Sequence, residues 1–450
     1  MPIDLAESPP ISRGLSHERL FGDMTVSNLP PERNQGGILT TLRVQLTSGI
    51  FGRGGLSFLV AFAGISVSAF LYHVIVSRLL GPSHYGAMGA LLGIISLLTV
   101  PIGAVQIAVT QAVIDEELKK ERFSLNRVTG RAMLGGIIAM VLTAALTPVV
   151  DSFLHIGSPV PMLLVAVWIP LAIITAVIQG ALIGEYRFRP VAFASFVGLG
   201  LTRLVLGTVL VQAGLGVSGA VAATIFAQAF TMLSLLFSAR HELLAHSRHA
   251  VAVRPKLRDT ILSIAALAGY TTLIGIDTFL ANHFFAATAA GDYAAVAVGA
   301  HISFFVPAAL VTVVFPHLAD GRGASESSRK IFRQSMYVSL VLGGLAAAAM
   351  SLFPHLTVSV LFGSKYANAA AILGVLSFAS VAIGVVILFV YLHLARRSLW
   401  ALTPWIGVAL SVAMIVVDHR SMRSVATIML VVSVVTMAAI ALPTARHATE

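Results

Sequence analysis

Val160 to Gly184 reads VPMLLVAVWIPLAIITAVIQGALIG, a run of 25 residues without one charged side chain. At about 1.5 Å of rise per residue such a run outspans the about 30 Å of hydrocarbon in a bilayer. No water there can satisfy backbone amides, so the run must be a helix whose hydrogen bonds close within it. Reading outward, similar runs fall near 55–77, 86–113, 132–154, 191–213, 218–238, 259–281, 294–319, 331–353, 367–394, 398–417 and 424–443. Residues are 57% hydrophobic and only 11% charged, and the mean hydropathy of +0.91 lies far outside the range of a soluble core. These observations predict an all-α polytopic membrane protein of 12 transmembrane helices.

The charges give an orientation. Of 29 Lys and Arg residues, 24 fall in the tail 1–53, the loops 115–131, 185–190, 239–258 and 320–330, at Arg333, and at Arg396, Arg397 and Arg446. Arg78, Lys365, Arg420 and Arg423 lie at the opposite ends of the spans, and Arg203 alone lies inside one. The positive-inside rule then predicts that both termini are cytoplasmic. It also accounts for the net charge of +10 without nucleic acid as a partner.

Pro9, Pro10, Pro30 and Pro31 with scattered charges leave no apolar run before Ile38, so 1–53 reads as a largely disordered cytoplasmic tail rather than a signal peptide. An interfacial helix over Gly37–Phe51 is one reading of Ile38, Leu42, Leu46 and Ile50. The chain has no cysteine, which excludes disulfides, thiolate chemistry and cysteine metal sites.

The chain also reads as doubled. His84-Tyr85-Gly86 opens the second span and Pro101 interrupts it; Asp292-Tyr293 opens the eighth and Pro307 interrupts that, at offsets of 208 and 206. Gly157 and Gly363, after the third and ninth spans, again differ by 206. The expectation is a six-helix lobe over 54–238, a basic linker at 239–258, a second six-helix lobe over 259–443 and a short cytoplasmic tail at 444–450. Lobes related by an axis along the membrane normal occur in transporters that rock about a midplane site.

Local sequence then becomes recognisable. Arg78-Leu79-Leu80-Gly81-Pro82-Ser83-His84-Tyr85-Gly86 resembles the loop after the first helix in polysaccharide transporters of the multidrug/oligosaccharidyl-lipid/polysaccharide exporter superfamily. Leu361-Phe362-Gly363-Ser364-Lys365-Tyr366, followed by Ala369 and Ala370, is similar to the segment entering their tenth helix. Asp277, Gly291-Asp292-Tyr293 and Phe315-Pro316 agree more weakly, and the resemblance covers about residues 55–395. It implies a MATE-like fold and a flippase, in the cytoplasmic membrane, for a polyprenyl-diphosphate-linked oligosaccharide or a related lipid-linked glycan. Glycosyltransferases or a polymerase of the same surface-polysaccharide pathway are then possible partners, beside membrane lipids.

An anionic lipid-sugar needs fixed positive charge, sugar hydrogen-bond partners and a path for its tail. Arg203, about twelve residues into its span, is the leading candidate, because an Arg at the midplane costs about 2.5–3.5 kcal/mol on insertion scales. Its guanidinium suits bidentate contact with a diphosphate; an interhelical tie to a carbonyl or to Asp151, or snorkelling, are the alternatives. Arg78 and His73 near the outer end read either as a release site or, for Arg78, as interface anchoring. Gln106, Gln111, Gln179 and Gln228 read as a sugar-compatible lining or as separate helix ties. Asp277 and His301 are candidates for ion or proton coupling, against structural capping and hydrogen bonding. Pro101, Pro170, Pro307 and Pro404 each remove a helical hydrogen bond, and Pro101 and Pro307 are candidate hinges.

Enzymatic readings find little support. The chain has no GxxxxGK[ST] phosphate loop, no HExxH and no GxSxG, and His241, His246 and His249 share a basic loop without a carboxylate pattern for metal. No cofactor and no catalytic residue is expected. A membrane-embedded glycosyltransferase or polymerase is the alternative from another class, and a cation-coupled multidrug exporter is the runner-up among transporters.

Overall fold

The computed structural model describes residues 53–119, 125–185, 187–240, 257–304 and 326–446. The tail, the interfacial segment, most of the basic linker and Pro307 therefore lie outside the described residues. Among the described residues there is no strand, and ten helices are long and apolar enough to cross a membrane.

The elements are α1 (Arg53–Leu80), α2 (Pro82–Lys119), α3 (Leu125–Ala145), the short α4 (Thr147–Leu154), α5 (Val160–Gly184), α6 (Phe188–Ser195), α7 (Arg203–Leu210) and α8 (Gly216–Ser238). They continue as α9 (Leu257–Phe284), α10 (Ala287–Ala300), α11 (Glu326–Leu352), the short α12 (Pro354–Leu361), α13 (Ala370–Ala395), α14 (Thr403–Val417) and α15 (Met422–Arg446). One of the ten spans runs over 51 residues, 188–238, and reverses at Gly214 and Gly216, both at positive φ (87° and 54°). Only glycine adopts such angles without strain. After the reversal α8 packs back along α6 and α7, so this stretch crosses twice. The eighth predicted span is described only from Ala287 to Phe304.

Two expected continuous spans are interrupted. The third breaks at Leu146 because Pro148 has no amide to continue the ladder, and α4 follows as a separate short helix. The fifth is α6 and α7 joined by a π-helical segment, Phe196–Thr202, with a second, Val211–Leu215, after it. Pro404 does not kink a span; it stands in the first turn of α14, where its missing N–H is no loss. The eleventh span instead begins with a 3-10 turn, Leu399–Leu402. Pro101 and Pro170 do lie inside α2 and α5.

Packing repeats along the chain. In the first half α5 contacts α2, α3 and α8, while α1 lies along α6 and α7. In the second, α13 contacts α10, α11 and α15, and α9 lies along α14. The short helices α4 and α12 hold equivalent places, each of eight residues and each followed by a glycine at positive φ, Gly157 at 75° and Gly363 at 93°.

Small residues let the helices approach. A Cβ on Gly180 would collide with the carbonyl of Gln106, and one on Gly184 with Val113, so α2 and α5 meet backbone to side chain, tied by Thr110 donating to the Gly180 carbonyl at 2.9 Å. The halves meet chiefly where α2 runs against α9 and α10.

Candidate functional site

Arg203 follows directly on the π-helical segment Phe196–Thr202. Gly198 and Gly200 allow that segment to press against Thr231 of α8 and Ser68 of α1, and Thr202 closes it by donating to the Val197 carbonyl five residues back at 2.8 Å. Such widened turns are rare and re-aim the side chains that follow them. The Arg203 guanidinium carbon stands 4.4 Å from the centroid of the Tyr72 ring on α1, a cation–π geometry. Gly207, one turn on, makes room for that ring, since a Cβ there would strike it. Tyr72 is fixed in turn, its hydroxyl donating to the Ala220 carbonyl on α8 at 2.8 Å. Arg203 Nε is buried and has no hydrogen-bond partner among the described residues, while the residue as a whole keeps accessible surface. Asp151, one of the partners expected for it, instead accepts from the Ser158 amide at 3.2 Å.

His73, next to Tyr72, pairs through Nδ1 with the Tyr85 hydroxyl at 2.8 Å. It lies within electrostatic reach of both Arg203 from the first half and His301 from the second. His301 begins a 3-10 turn at the end of α10. All three residues are partly buried and retain accessible surface.

Asp277 and His301 line one cavity of about 10 Å³ with Ile274, Ala297, Ser380 and Ile383, room for about one water. Asp277, 4% exposed on α9, accepts from the Tyr293 hydroxyl at 2.8 Å and from the Thr278 amide at 2.7 Å. The structure thus brings together the two residues expected for coupling.

The glutamines separate. Gln179 on α5 donates to the Ser195 hydroxyl at 3.0 Å and is a helix tie. Gln228 is buried on α8, and Gln106 is partly exposed on α2. The side chain of Gln111 lies outside the described residues.

Arg78 is not with Arg203. Its Nε donates to the Leu361 carbonyl at 3.0 Å and its Nη2 to that of Val360, capping the C-terminal end of α12 where unpaired carbonyls and the helix dipole favour a cation. Beside it Tyr366 donates to the Ser77 carbonyl at 2.6 Å. In the equivalent place of the other half, Asn282 on α9 donates to the Leu154 carbonyl of α4 at 2.6 Å, and the His283 ring stacks on Phe153 at 3.8 Å. Two matching latches therefore tie helices of the two halves together at the end bearing Arg78 and Lys365. Sequence reading missed them because they depend on carbonyls 128 and 283 residues away.

A family profile described as polysaccharide biosynthesis protein matches residues 75–371. The chain belongs to the polysaccharide biosynthesis protein family. No curated protein matches it. Among solved structures it is similar to a multidrug resistance MATE family transporter of the MOP superfamily in an inward-facing conformation, with a TM-score of 0.69, 14% identity and coverage of 86% of this chain and 95% of that one. It is similar to lipid II flippase MurJ in an inward closed conformation, with a TM-score of 0.67, 12% identity and coverage of 86% and 87%. An outward-facing MATE structure matches with a TM-score of 0.56 at 16% identity, covering 88% and 95%. At these identities the likeness shows the fold, which is MATE-like, and the chain is a multi-pass membrane protein.

Proposed function

We propose that this chain is an alternating-access flippase that moves a lipid-linked saccharide, of the polyprenyl-diphosphate class, to the outer leaflet of the cytoplasmic membrane. Both termini face the cytoplasm in this reading, the halves 54–238 and 259–443 act as rocking lobes, and the latched end is the outer one. The observation that carries it is the guanidinium of Arg203, held over Tyr72 inside the bundle with an unpaired buried donor. An unmet charged donor at that depth is costly unless a ligand completes it, and a diphosphate matches the planar fork. His73 and His301 extend the donor-rich surface into the other lobe.

The family supports a saccharide, MurJ is named a lipid II flippase, and the closer fit to inward-facing structures agrees with a closed outer end. The protein acts as a transporter rather than an enzyme, without a cofactor. Glycosyltransferases or a polymerase of the same pathway are its proposed partners. Pro101, inside the 38-residue α2, leaves the Leu97 carbonyl without its helical donor and is the proposed hinge.

Depleting the protein should cause one lipid-linked intermediate to accumulate in the inner leaflet. Normal surface glycans with no accumulation would sink the proposal. The second reading is a cation-coupled multidrug exporter, favoured by the Asp277–His301 cavity and the MATE likeness. Efflux of cationic dyes, abolished by Asp277→Asn, would select it.

A further inference from the structure

The seam between the halves contains a carboxylate that the site above does not use. Asp292, on the second turn of α10, is 3% exposed, and its Oδ1 is buried without a hydrogen-bond partner among the described residues. The residue before it, Gly291, lies against the Pro82 carbonyl at the point where α2 crosses α10, so closely that a Cβ would overlap that oxygen. Asp292 thus stands next in the chain to the contact that joins the halves, with one carboxyl oxygen buried and unpartnered among the described residues.

No cation among the described residues pairs with it. Arg78 on α1 is spent on the Val360 and Leu361 carbonyls, and His73 pairs with Tyr85. On α2, His84 is exposed beside Ser83; on α9, His283 stacks on Phe153 and Asp277 takes the Tyr293 hydroxyl. His355 on α12 and Lys365 are exposed, and His393 on α13 pairs with the Ile440 carbonyl. Tyr366 is the titratable side chain in electrostatic contact with Asp292. A charged carboxylate with one buried oxygen left without a donor, and no counter-ion among the described residues, is disfavoured in such a place, whereas the neutral acid is less so. A metal cation would ask for several oxygen ligands, and no cluster of three acidic or imidazole groups exists among the described residues. A proton needs only the carboxyl itself.

We infer that the Asp292 carboxyl is a proton-binding site whose occupancy locks the α2–α10 crossing closed. When the crossing opens, the carboxyl meets water and releases its proton to bulk; when it closes, one proton is taken back from bulk. The closed state binds that proton more tightly, so by linkage acid favours closure and alkali favours opening. The inference uses the opening motion proposed above but not its passenger.

The absence of native cysteine makes the test direct. Ser83→Cys and Thr288→Cys place spin labels on exposed first turns of α2 and α10, flanking the crossing, in protein held in nanodiscs without substrate. Between about pH 5 and about pH 8 the closed-to-open ratio should fall by up to about tenfold per pH unit over the titrating window, the slope for one proton. Asp292→Asn, neutral and of the same shape, should remove that slope and stay closed, while Asp292→Glu should keep a slope with a moved midpoint. An unchanged slope in Asp292→Asn, a wild-type ratio that ignores pH, or a ratio that follows sodium at fixed pH overturns the assignment. Labels that never separate under any condition overturn the opening motion itself, and this lock with it.

Discussion

Gly86 and Gly291 meet where α2 crosses α10: a Cβ on Gly86 would come within 2.9 Å of the Gly291 amide nitrogen and 2.8 Å of Asn282 Oδ1. Backbone stands opposite backbone, and neither can yield as the end of a flexible side chain would. Next along the seam Gly89 faces the methyl of Ala294 at 3.3 Å, tight packing that a small shift relieves.

Gly291→Ala should therefore force the crossing apart rather than be absorbed. Overpacking of this kind costs about 1–3 kcal/mol, which here falls on the closed state alone. The expected result is a shift toward the open form, read as a longer distance between labels at Ser83→Cys and Thr288→Cys. Gly103, whose Cβ would meet open space, is the control, and Gly103→Ala should leave the distance unchanged.

The two latches should contribute separately. Tyr366→Phe removes one hydrogen bond to Ser77 and Asn282→Ala one to Leu154, each worth about 0.5–1.5 kcal/mol to closure. They sit in matching but distinct places with no shared partner, so the double variant should open the seam by the sum of the single effects. A double variant no more open than either single one would mean that one latch alone bears the closure.

How much of this was written in the sequence depends on distance along the chain. Uncharged runs such as Val160–Gly184 announce helices because lipid burial depends on composition and length, both local properties. The repeated glycines at 157 and 363 were equally legible, since a turn that needs positive φ selects glycine wherever it occurs. Arg203 stood out as a lone charge in its span, but the π-helical turn that aims it comes from Gly198 and Gly200 meeting α8 and α1, which no local pattern encodes. Arg78 read as a release-site residue or an interface anchor, and its place as a cap on α12 was not legible because its acceptors lie 282 and 283 residues on. Asp292 served to mark the repeat and the family resemblance, and its burial without a partner could not be read from local pattern.

Coupling has its own test in the small cavity. Asp277→Asn keeps the shape and leaves the Tyr293 hydroxyl an amide oxygen to bond, so folding should be spared. What should disappear is the response of transport to an imposed proton or sodium gradient in proteoliposomes, with substrate binding unchanged. A variant that still follows the gradient as wild type does would remove Asp277 from the coupling step and leave it a tie between α9 and α10.

Arg203 admits the sharpest division between charge and shape. Arg203→Ala removes both the cation over Tyr72 and the donor fork, and a lost charge-assisted hydrogen bond of about 1.5–3 kcal/mol predicts a fall of about 10- to 150-fold in apparent affinity for a lipid diphosphate. Arg203→Lys keeps the charge but neither the planar stacking nor the bidentate geometry, so it should recover only part of that loss. Gly207→Ala acts without touching the charge: its new Cβ displaces the Tyr72 ring and with it the platform under the guanidinium. Binding of lipid diphosphate should weaken in all three while membrane insertion and helix content stay as in wild type. Lipid monophosphate, with one phosphate fewer for the fork to grip, should discriminate least between wild type and Arg203→Lys. Equal affinity of wild type and Arg203→Ala for the diphosphate would show that the guanidinium serves α1–α7 packing alone.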